Sequence, residues 1–339
     1  MNNIKILDCT LRDGGYVNDW TFGDDAIRSV ISDLMESRMD YIECGYISNR
    51  EYKKDRTVFK DLSQISEFLP ERRSSSQILV MADVQQCEPC DIPEFDGKSV
   101  DGIRVVFYKH QIDKALPLIE DIAKKGYKVF VQPMVTMSYS MDEYRSLIDK
   151  INKMNVFAVA IVDSFGFMTR RDILRYLDIL DAELSSGTGI GIHLHNNMQM
   201  ALHNALLMFE YDGCTNREVI IDASVYGMGR GAGNLCTELI TYYYNSHIEE
   251  KYNVEKIMDI ISSVLMPIYK ETPWGYSPYM LLTAMNQCHP NYAVYLLQNH
   301  MISISEFADY IKKVLPEMKC KCTKALVEEL FVKHMNRVS

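Results

Sequence analysis

Short apolar runs alternate with longer amphipathic segments along most of the chain. The short runs are apolar on both faces, which is typical of strands buried in a parallel sheet, and the longer segments have the apolar spacing of helices that cover such a sheet. The eight predicted strands span residues 4–8, 41–46, 77–83, 102–108, 128–135, 157–164, 189–195 and 219–224.

The amphipathic segments between these runs predict the covering helices. They span residues 24–37, 58–68, 111–125, 141–154, 169–184, 199–211 and 235–244, with a weak, proline-punctuated helix near 87–91. Eight strand–helix units imply an α/β fold that closes into a (β/α)8 TIM barrel. The rival is an open doubly wound sheet, which would usually show a glycine-rich dinucleotide turn after its first strand, and TLRDGG does not match that fingerprint.

After the last of these units the pattern changes to helices alone. The predicted helices span residues 254–269, 278–285, 292–298, 303–314 and 323–335. We therefore predict a barrel domain over residues 1–250 and a helical C-terminal region, or tail, over residues 251–339. The tail could form a dimer interface or a lid over the barrel.

Composition and net charge limit the kinds of binding partner that we expect. The chain has 339 residues, of which 47% are hydrophobic and 24% are charged, enough for a buried core. Its net charge of −10 argues against nucleic acid or an anionic membrane as partner, because phosphates would be repelled. A small anionic substrate stays compatible, since a local arginine and a cation can dominate a pocket. MNNIKILDCT lacks the apolar run of a signal peptide, and nothing approaches a membrane helix, so a cytoplasmic protein is expected.

Polar residues cluster at the carboxyl ends of the predicted strands, where barrels place their active sites. In HLHN, His193 and His195 alternate on one strand and therefore face the barrel interior together. For this pattern alone, two hydrogen-bonded core histidines and a metal site are equally good explanations. Asp13, after the first strand, adds a carboxylate at the same barrel mouth and favours the metal. Three such ligands leave positions open for substrate, as in catalytic sites, and fit Mn²⁺ or Mg²⁺ foremost, with Co²⁺ and Zn²⁺ also compatible.

Two charged residues accompany these ligands. Arg12 adjoins Asp13; it could form a surface salt bridge, or it could face an oxyanion, because fixed positive charge stabilises an enolate as it forms. Glu43 interrupts an apolar strand and either pairs with a neighbour such as Arg12 or positions a base or a water.

The glycine-rich segment GMGRGAGN spans residues 227–234, after the last predicted strand. Barrels often bind phosphate or carboxylate there through backbone N–H groups, helped by the N-terminus of the following helix. We therefore assign Gly229, Arg230 and Gly231 to substrate binding, with a flexible turn as the alternative. Asn234 either caps that helix or approaches the metal.

Taken together, LDCTLRDGG, IECGY, VDSFG, GIHLHNN and DASVYGMGRGAGN resemble the DRE-TIM metallolyase superfamily. That superfamily includes HMG-CoA lyase, the pyruvate carboxyltransferase domain, isopropylmalate and citramalate synthases, and 4-hydroxy-2-oxovalerate aldolase. The resemblance covers the whole predicted barrel and is closest to the aldolase branch, including WGYSPYM in the tail. The ordered set of motifs is specific, whereas each motif alone is weak.

The resemblance implies a divalent-metal-dependent lyase or aldolase that acts next to a 2-oxo acid through a pyruvate enolate, with an aldehyde as the second compound. Arg12 would stabilise the enolate, Ser164 would contact a substrate oxygen, and Glu43 matches an acid found on strand two of several members. In this family the tail can contact a partner dehydrogenase that takes the aldehyde. The implied metal ligands are Asp13, His193, His195 and Asn234.

The sequence also departs from the family pattern. The aldolase branch carries a histidine base just after its RDG segment, where this chain has Gly15 and Tyr16. Tyr16, His110 and Tyr276 are therefore candidate bases, with a metal-bound water as a fourth. A tyrosine of ordinary pKa, about 10, is a poor base at neutral pH, and a nearby metal or Arg12 would lower that pKa. The lyase branch has a cysteine in its glycine loop, which this loop lacks.

Three alternatives to an aldolase stay open. The first is a Claisen-type acyl transferase that uses acetyl-CoA, although synthases of that kind usually have a longer tail. The second is a 2-oxo acid decarboxylase, which needs an enolate site but no histidine base. The third is a module that binds a metal or a sugar acid without catalysis.

Overall fold

The computed structural model describes residues 3–70, 75–214 and 216–338. Eight parallel strands close a barrel in the order β1-β2-β4-β5-β6-β7-β8-β9, and β3 adds to the outside of β2. This confirms the predicted (β/α)8 architecture. The strands are β1 Asn3–Asp8, β2 Tyr41–Ile47, β3 Val58–Phe59, β4 Gln77–Asp83, β5 Gly102–Phe107, β6 Lys128–Pro133, β7 Ala158–Asp163, β8 Gly189–Leu194 and β9 Glu218–Ala223.

Helices cover the outside of the barrel and continue as the tail. Three of them begin at capping boxes, with Ser140, Thr169 and Ser303 accepting the backbone N–H three residues on. The barrel helices are α1 Thr10–Asp13, α2 Gly15–Asn18, α3 Asp24–Glu36, α4 Ser63–Ser66, α5 Ile112–Lys124, α6 Met141–Ile151, α7 Arg170–Glu183, α8 Ala201–Glu210 and α9 Thr237–His247. The tail helices are α10 Val254–Ile260, α11 Met266–Glu271, α12 Pro278–Met285, α13 Asn291–Asn299, α14 Ile304–Ile311 and α15 Lys324–Val338.

Two predicted elements have a different form. The helix predicted over residues 58–68 is wrong, because Val58 and Phe59 pair as a strand with Tyr46 and Ile47 and only the short α4 follows. The TLRDGG segment is helical from Thr10 rather than a simple turn.

The helix predicted over residues 254–269 is interrupted by a π-helical turn, Ile261–Leu265. Pro267 follows this turn at the start of α11. Since proline has no N–H to donate to the preceding turn, a regular α-helix could not continue unbroken there.

The apolar core has three parts. The largest lies between the strands and the helices and includes Ile257 and Leu265 from the start of the tail. A smaller cluster, which includes Tyr41 and Phe130, joins side chains from several strands of the barrel. The tail has its own core, and Ala232 of the glycine loop belongs to it. The tail is thereby packed against the barrel mouth. None of the described helices is both long and apolar enough to cross a bilayer.

Asp8, the last residue of β1, makes the stability of the fold depend on pH. It is buried and accepts hydrogen bonds from the Thr237 hydroxyl at 2.6 Å and the Thr10 N–H at 2.9 Å. Burial raises the pKa of Asp8 to about 6, although these hydrogen bonds oppose the rise. The folded-state pKa therefore lies above the unfolded value of about 3.9. Its contribution to stability is fully present below about pH 4 and is lost as the pH rises through about 6.

The substitution Asp8→Asn tests this point, because asparagine keeps the shape but does not titrate. We expect the free energy of unfolding of the unsubstituted protein to fall relative to the variant by about 3 kcal/mol between about pH 4 and pH 7. Urea denaturation of both proteins across that range measures the difference. Parallel pH profiles would show that Asp8 does not titrate differently in the folded and unfolded states.

Candidate active site

Barrel closure brings the three predicted metal ligands together. Asp13 ends α1, His193 lies in β8 and His195 directly follows β8, and all three are buried. Each offers one ligand atom, and these atoms lie within 4.8 Å of one another. A residue that follows β1 and two residues at the end of β8 thus meet at the barrel mouth.

Hydrogen bonds fix both imidazoles in the orientation that metal binding requires. His193 Nδ1 lies 3.0 Å from Asp222 Oδ2, and His195 Nδ1 lies 3.2 Å from the backbone oxygen of Asp163. Each Nδ1 therefore carries the proton, and each Nε2 has a free lone pair, as in histidines that bind metals through Nε2. Burial lowers the pKa of His195 to about 4 against the effect of Asp13, so this ring is neutral at neutral pH.

Two buried ligand-type atoms at this point have no hydrogen-bond partner among the described residues: His195 Nε2 and Asn234 Oδ1. His195 Nε2 lies 3.5 Å from Asp13 Oδ2, and the Asn234 amide nitrogen donates to the same oxygen at 2.8 Å. Buried polar atoms are rarely left without a partner. A divalent cation held by Asp13, His193 and His195 would satisfy His195 Nε2, so these three residues fit the metal that the sequence predicts. Asn234 turns its amide nitrogen, and not its oxygen, toward Asp13.

A network of buried, paired charges adjoins the metal ligands. Glu43 Oε2 accepts Arg12 Nε at 2.7 Å and Arg104 Nη1 at 2.8 Å, and Arg104 also pairs with Asp222. Arg12 pairs with Asp13 as well. Burial would raise the pKa of Asp13, but the Arg12 charge holds it well below its usual range. Glu43 thus takes the pairing role that the sequence left open.

Asp13, His193, His195 and Arg12 line a cavity of about 30 Å³, the inner cavity. Ser164 also lines it, with its Oγ accepting the Val135 N–H at 2.9 Å, so its proton stays available for a substrate oxygen. The remaining lining residues are Tyr16, Tyr46, Met81, Val106, Gln132, Met134, Val162 and Arg230.

The glycine loop reaches the metal ligands closely. A Cβ on Gly229 would lie 2.8 Å from Asp13 Oδ2 and 2.5 Å from the Asn234 amide nitrogen, so only glycine fits there. Arg230 donates its N–H to Asp13 Oδ2 at 3.4 Å and its Nη2 to the Ser164 carbonyl at 3.3 Å.

The glycine loop does not have the form predicted for it, in which backbone N–H groups would bind a phosphate or carboxylate. The N–H groups of Ala232, Gly233, Asn234 and Leu235 donate to protein oxygens, and α9 begins at Thr237, not near residue 235. Most of these donors are used to hold the loop together. Of the predicted substrate-binding residues in this loop, Arg230 is the one that lines the inner cavity, and no protein acceptor is seen for the N–H groups of Gly229 and Gly231 in the described parts of the chain.

The three candidate base residues occupy different places. Tyr16 lines the inner cavity, and its hydroxyl lies 3.2 Å from that of Tyr46. His110 is exposed and stacks on Tyr108 outside the lining. Tyr276 is 54% exposed and lines a separate pocket on the far side of Asn234. Only Tyr16 of these side chains is placed to reach a molecule in the inner cavity.

Sequence reasoning missed two charged residues of this site, Arg104 and Asp222. Arg104 interrupts the apolar run GIRVVF, and Asp222 sits in VIIDAS. A charge inside an otherwise apolar strand is the signal that could have found both, because such a group is buried and needs a partner.

The tail also brings a histidine that the sequence did not single out. His289 is buried against Phe165, with ring centroids 5.3 Å apart, and its Nδ1 accepts the Asn291 N–H at 3.1 Å. Burial, helped by the charge of Arg230, holds the pKa of His289 well below its usual range. Its proton therefore sits on Nε2, which makes the neutral ring a hydrogen-bond donor near the barrel mouth.

A parallel barrel with two histidines and an aspartate at its mouth, and an arginine beside them, defines a metal-dependent lyase or aldolase of the DRE-TIM type. The chain belongs to the HMGL-like family, whose model matches residues 3–264. This confirms the resemblance seen in the sequence motifs.

The relatives include both a decarboxylase and an aldolase. The chain is 25% identical over 243 residues to an oxaloacetate decarboxylase of Mycobacterium tuberculosis, covering 69% of this chain and 68% of that protein. It is 25% identical over 276 residues to a 4-hydroxy-2-oxovalerate aldolase of Geobacillus genomosp. 3, covering 78% and 77%. The crystal structure of the N-terminal domain of a proposed aldolase from Bacteroides vulgatus superposes with a TM-score of 0.74 at 28% identity, covering 87% and 97%.

Proposed function

We propose that the protein is a divalent-metal-dependent aldolase that makes or cleaves a carbon–carbon bond next to a 2-oxo acid through a pyruvate enolate. The observation that carries this proposal is the meeting of three ligand atoms within 4.8 Å in a buried cavity that Arg12 also lines. The aldolase and decarboxylase relatives support it, because both names describe chemistry next to a 2-oxo acid.

A divalent cation, Mn²⁺ or Mg²⁺ foremost, held by Asp13, His193 and His195 would polarise the carboxylate and keto oxygens of the 2-oxo acid. Asn234 would take part by holding Asp13 through its amide nitrogen. Arg12 is held at Nε by Glu43 and at Nη1 by Asp13, so its remaining N–H groups are fixed in position. They would donate to the enolate oxygen, where negative charge develops. Ser164 would orient the substrate through a second hydrogen bond.

Tyr16 is the group that we assign to proton transfer at the aldehyde oxygen. In cleavage it takes the proton of the C4 hydroxyl, the C3–C4 bond breaks, and its electrons form the enolate while C4 becomes the aldehyde carbon. Addition runs the same steps in reverse, with Tyr16 returning the proton. Arg230 lies over the Tyr16 ring, 5.1 Å from its centroid, so a fixed positive charge stands beside the proposed proton-transfer group.

The test of this function is proton exchange at the methyl group of pyruvate. In deuterated water with Mn²⁺, we expect the protein to erase the pyruvate methyl signal in proton NMR, and to form a 4-hydroxy-2-oxo acid when an aldehyde is added. A methyl signal that persists with Mn²⁺, Mg²⁺, Co²⁺ and Zn²⁺ in turn would overturn the proposal and leave a module without catalysis.

A decarboxylase is the second candidate, favoured by the relative from Mycobacterium tuberculosis. Loss of CO₂ from oxaloacetate would produce the same enolate, which Arg12 would stabilise in the same way. Oxaloacetate turnover without any aldehyde addition would favour this candidate. Release of CoA from acetyl-CoA with a 2-oxo acid would instead identify an acyl transferase.

A further inference from the structure

A second and larger cavity adjoins the inner cavity. Tyr16 and Tyr46 line both, so the two spaces meet at this tyrosine pair. The second space, which we call the outer cavity, has a volume of about 440 Å³ against about 30 Å³ for the inner one. Its other lining residues are Trp20, Arg50, Glu51, Lys53, Arg56, Val58, Asp83 and Gln86.

The aromatic wall that the two cavities share is held in place by packing and a hydrogen bond. Trp20 packs edge-on against Tyr16 and Tyr46, with ring centroids 4.7 Å and 5.6 Å away, and its Nε1 donates to the Arg12 carbonyl at 2.7 Å. A Cβ on Gly15 would lie 2.0 Å from the Trp20 ring, so the glycine is needed to seat that ring. A molecule in the outer cavity would therefore contact the proposed proton-transfer residue directly.

The loop over residues 48–57 forms the other side of the outer cavity and is also anchored. Thr57 donates its hydroxyl to the Leu11 carbonyl at 2.6 Å and its N–H to the Trp20 carbonyl at 3.0 Å. Arg56 donates Nη2 to the Asp19 carbonyl at 2.8 Å. Because these bonds tie the loop to residues 11–20, the cavity is formed before any ligand binds.

The mouth of the outer cavity carries positive charge in an acidic protein. Arg50 and Lys53 are exposed and form no direct ion pair with a carboxylate in the described ranges. Of the two lining carboxylates, Glu51 is exposed, and Asp83 already accepts the Gln85 N–H at 2.9 Å. With a net charge of −10 over the whole chain, two cations without direct partners beside a cavity would attract an anionic molecule locally.

Building on the proposed function, we propose that the outer cavity receives the aldehyde and that this aldehyde carries an anionic group, a phosphate or a carboxylate, bound by Arg50 and Lys53. The aldehyde carbon then meets the enolate at Tyr16, and the carbon chain lies along the aromatic wall. The volume of the outer cavity accommodates a substrate well beyond a two-carbon aldehyde.

Matched aldehydes test this inference. With pyruvate and Mn²⁺, the kcat/KM of glyceraldehyde 3-phosphate should exceed that of glyceraldehyde by about tenfold or more, the scale of one charge-assisted contact. Succinic semialdehyde against butanal makes the same comparison for a carboxylate, and the preferred pair identifies the anion. The double variant Arg50→Gln/Lys53→Gln should lose about that tenfold preference and leave the neutral aldehydes within about twofold.

Lys54→Gln is the matched control, because Lys54 is on the same loop but lies outside the cavity lining, 3.7 Å from Asp24. It should leave the preference intact. Equal kcat/KM values for charged and neutral aldehydes, or faster turnover of acetyl-CoA than of any aldehyde, would overturn the inference. If pyruvate methyl exchange occurs without an anionic preference, only this inference fails; if exchange is absent, the proposed function fails with it.

Discussion

Replacement of His195 by alanine is expected to remove bound divalent cation and to lower turnover by about a thousandfold or more, since the metal supplies several kcal/mol of charge stabilisation. His195 is 3% exposed, its Nε2 has no hydrogen-bond partner in the described structure, and that atom belongs to the group of ligand atoms within 4.8 Å. Within the described ranges, Asp13 and His193 are the members of that group that would remain.

Two measurements check this expectation. Elemental analysis after dialysis gives the metal content per chain, and pyruvate methyl exchange gives the activity. His203→Ala is the matched control, because His203 is an exposed histidine on α8, and it should keep both metal and activity. A His195→Ala variant that exchanges the methyl protons at the full rate without metal would contradict the proposed site.

Replacement of Glu43 by glutamine is expected to lower the free energy of unfolding by about 3 kcal/mol. Glu43 is fully buried between Arg12 and Arg104, at 2.7 Å and 2.8 Å. Removing its charge leaves two buried guanidinium groups with fewer carboxylates, and an unbalanced buried charge is costly. Urea denaturation at neutral pH measures the loss.

The control for this prediction is Glu36→Gln. Glu36 pairs with Lys256 at 2.8 Å, but both side chains are partly exposed, at 53% and 34%. An ion pair at the surface contributes less than about 1 kcal/mol, so this variant should stay close to the unsubstituted protein. Similar losses in both variants would mean that Glu43 is not held in a desolvated charge network.

Much of the site could be predicted because its signals are local. Alternation along a strand places His193 and His195 on one face whatever the rest of the fold does. The position of Asp13 after the first strand then follows from the rule that barrels gather such residues at one end. The role of Glu43 could not be chosen in the same way, because its partner Arg104 lies two barrel strands away along the ring.

The three candidate bases also show the difference between what the sequence predicts and what tertiary structure decides. Tyr16 and His110 follow predicted strands, and Tyr276 lies in the tail segment WGYSPYM that resembles the aldolase branch, so the sequence does not choose among them. Only the packing of loops and tail separates them, placing Tyr16 in the inner cavity and the other two outside its lining. The strand formed by Val58 and Phe59 was missed for a related reason: its extended form depends on pairing with β2.

The sequence by itself determined the barrel, its helical tail and the residue types of the metal site. The spacing of apolar residues and the alternation of side chains along a strand depend only on neighbouring residues. Tertiary structure alone decided which ligand atoms meet, how Arg12 is held, and that an outer cavity opens at Tyr16. Those features join residues far apart in the chain, and their distances are set by barrel closure and loop packing, which no local pattern encodes.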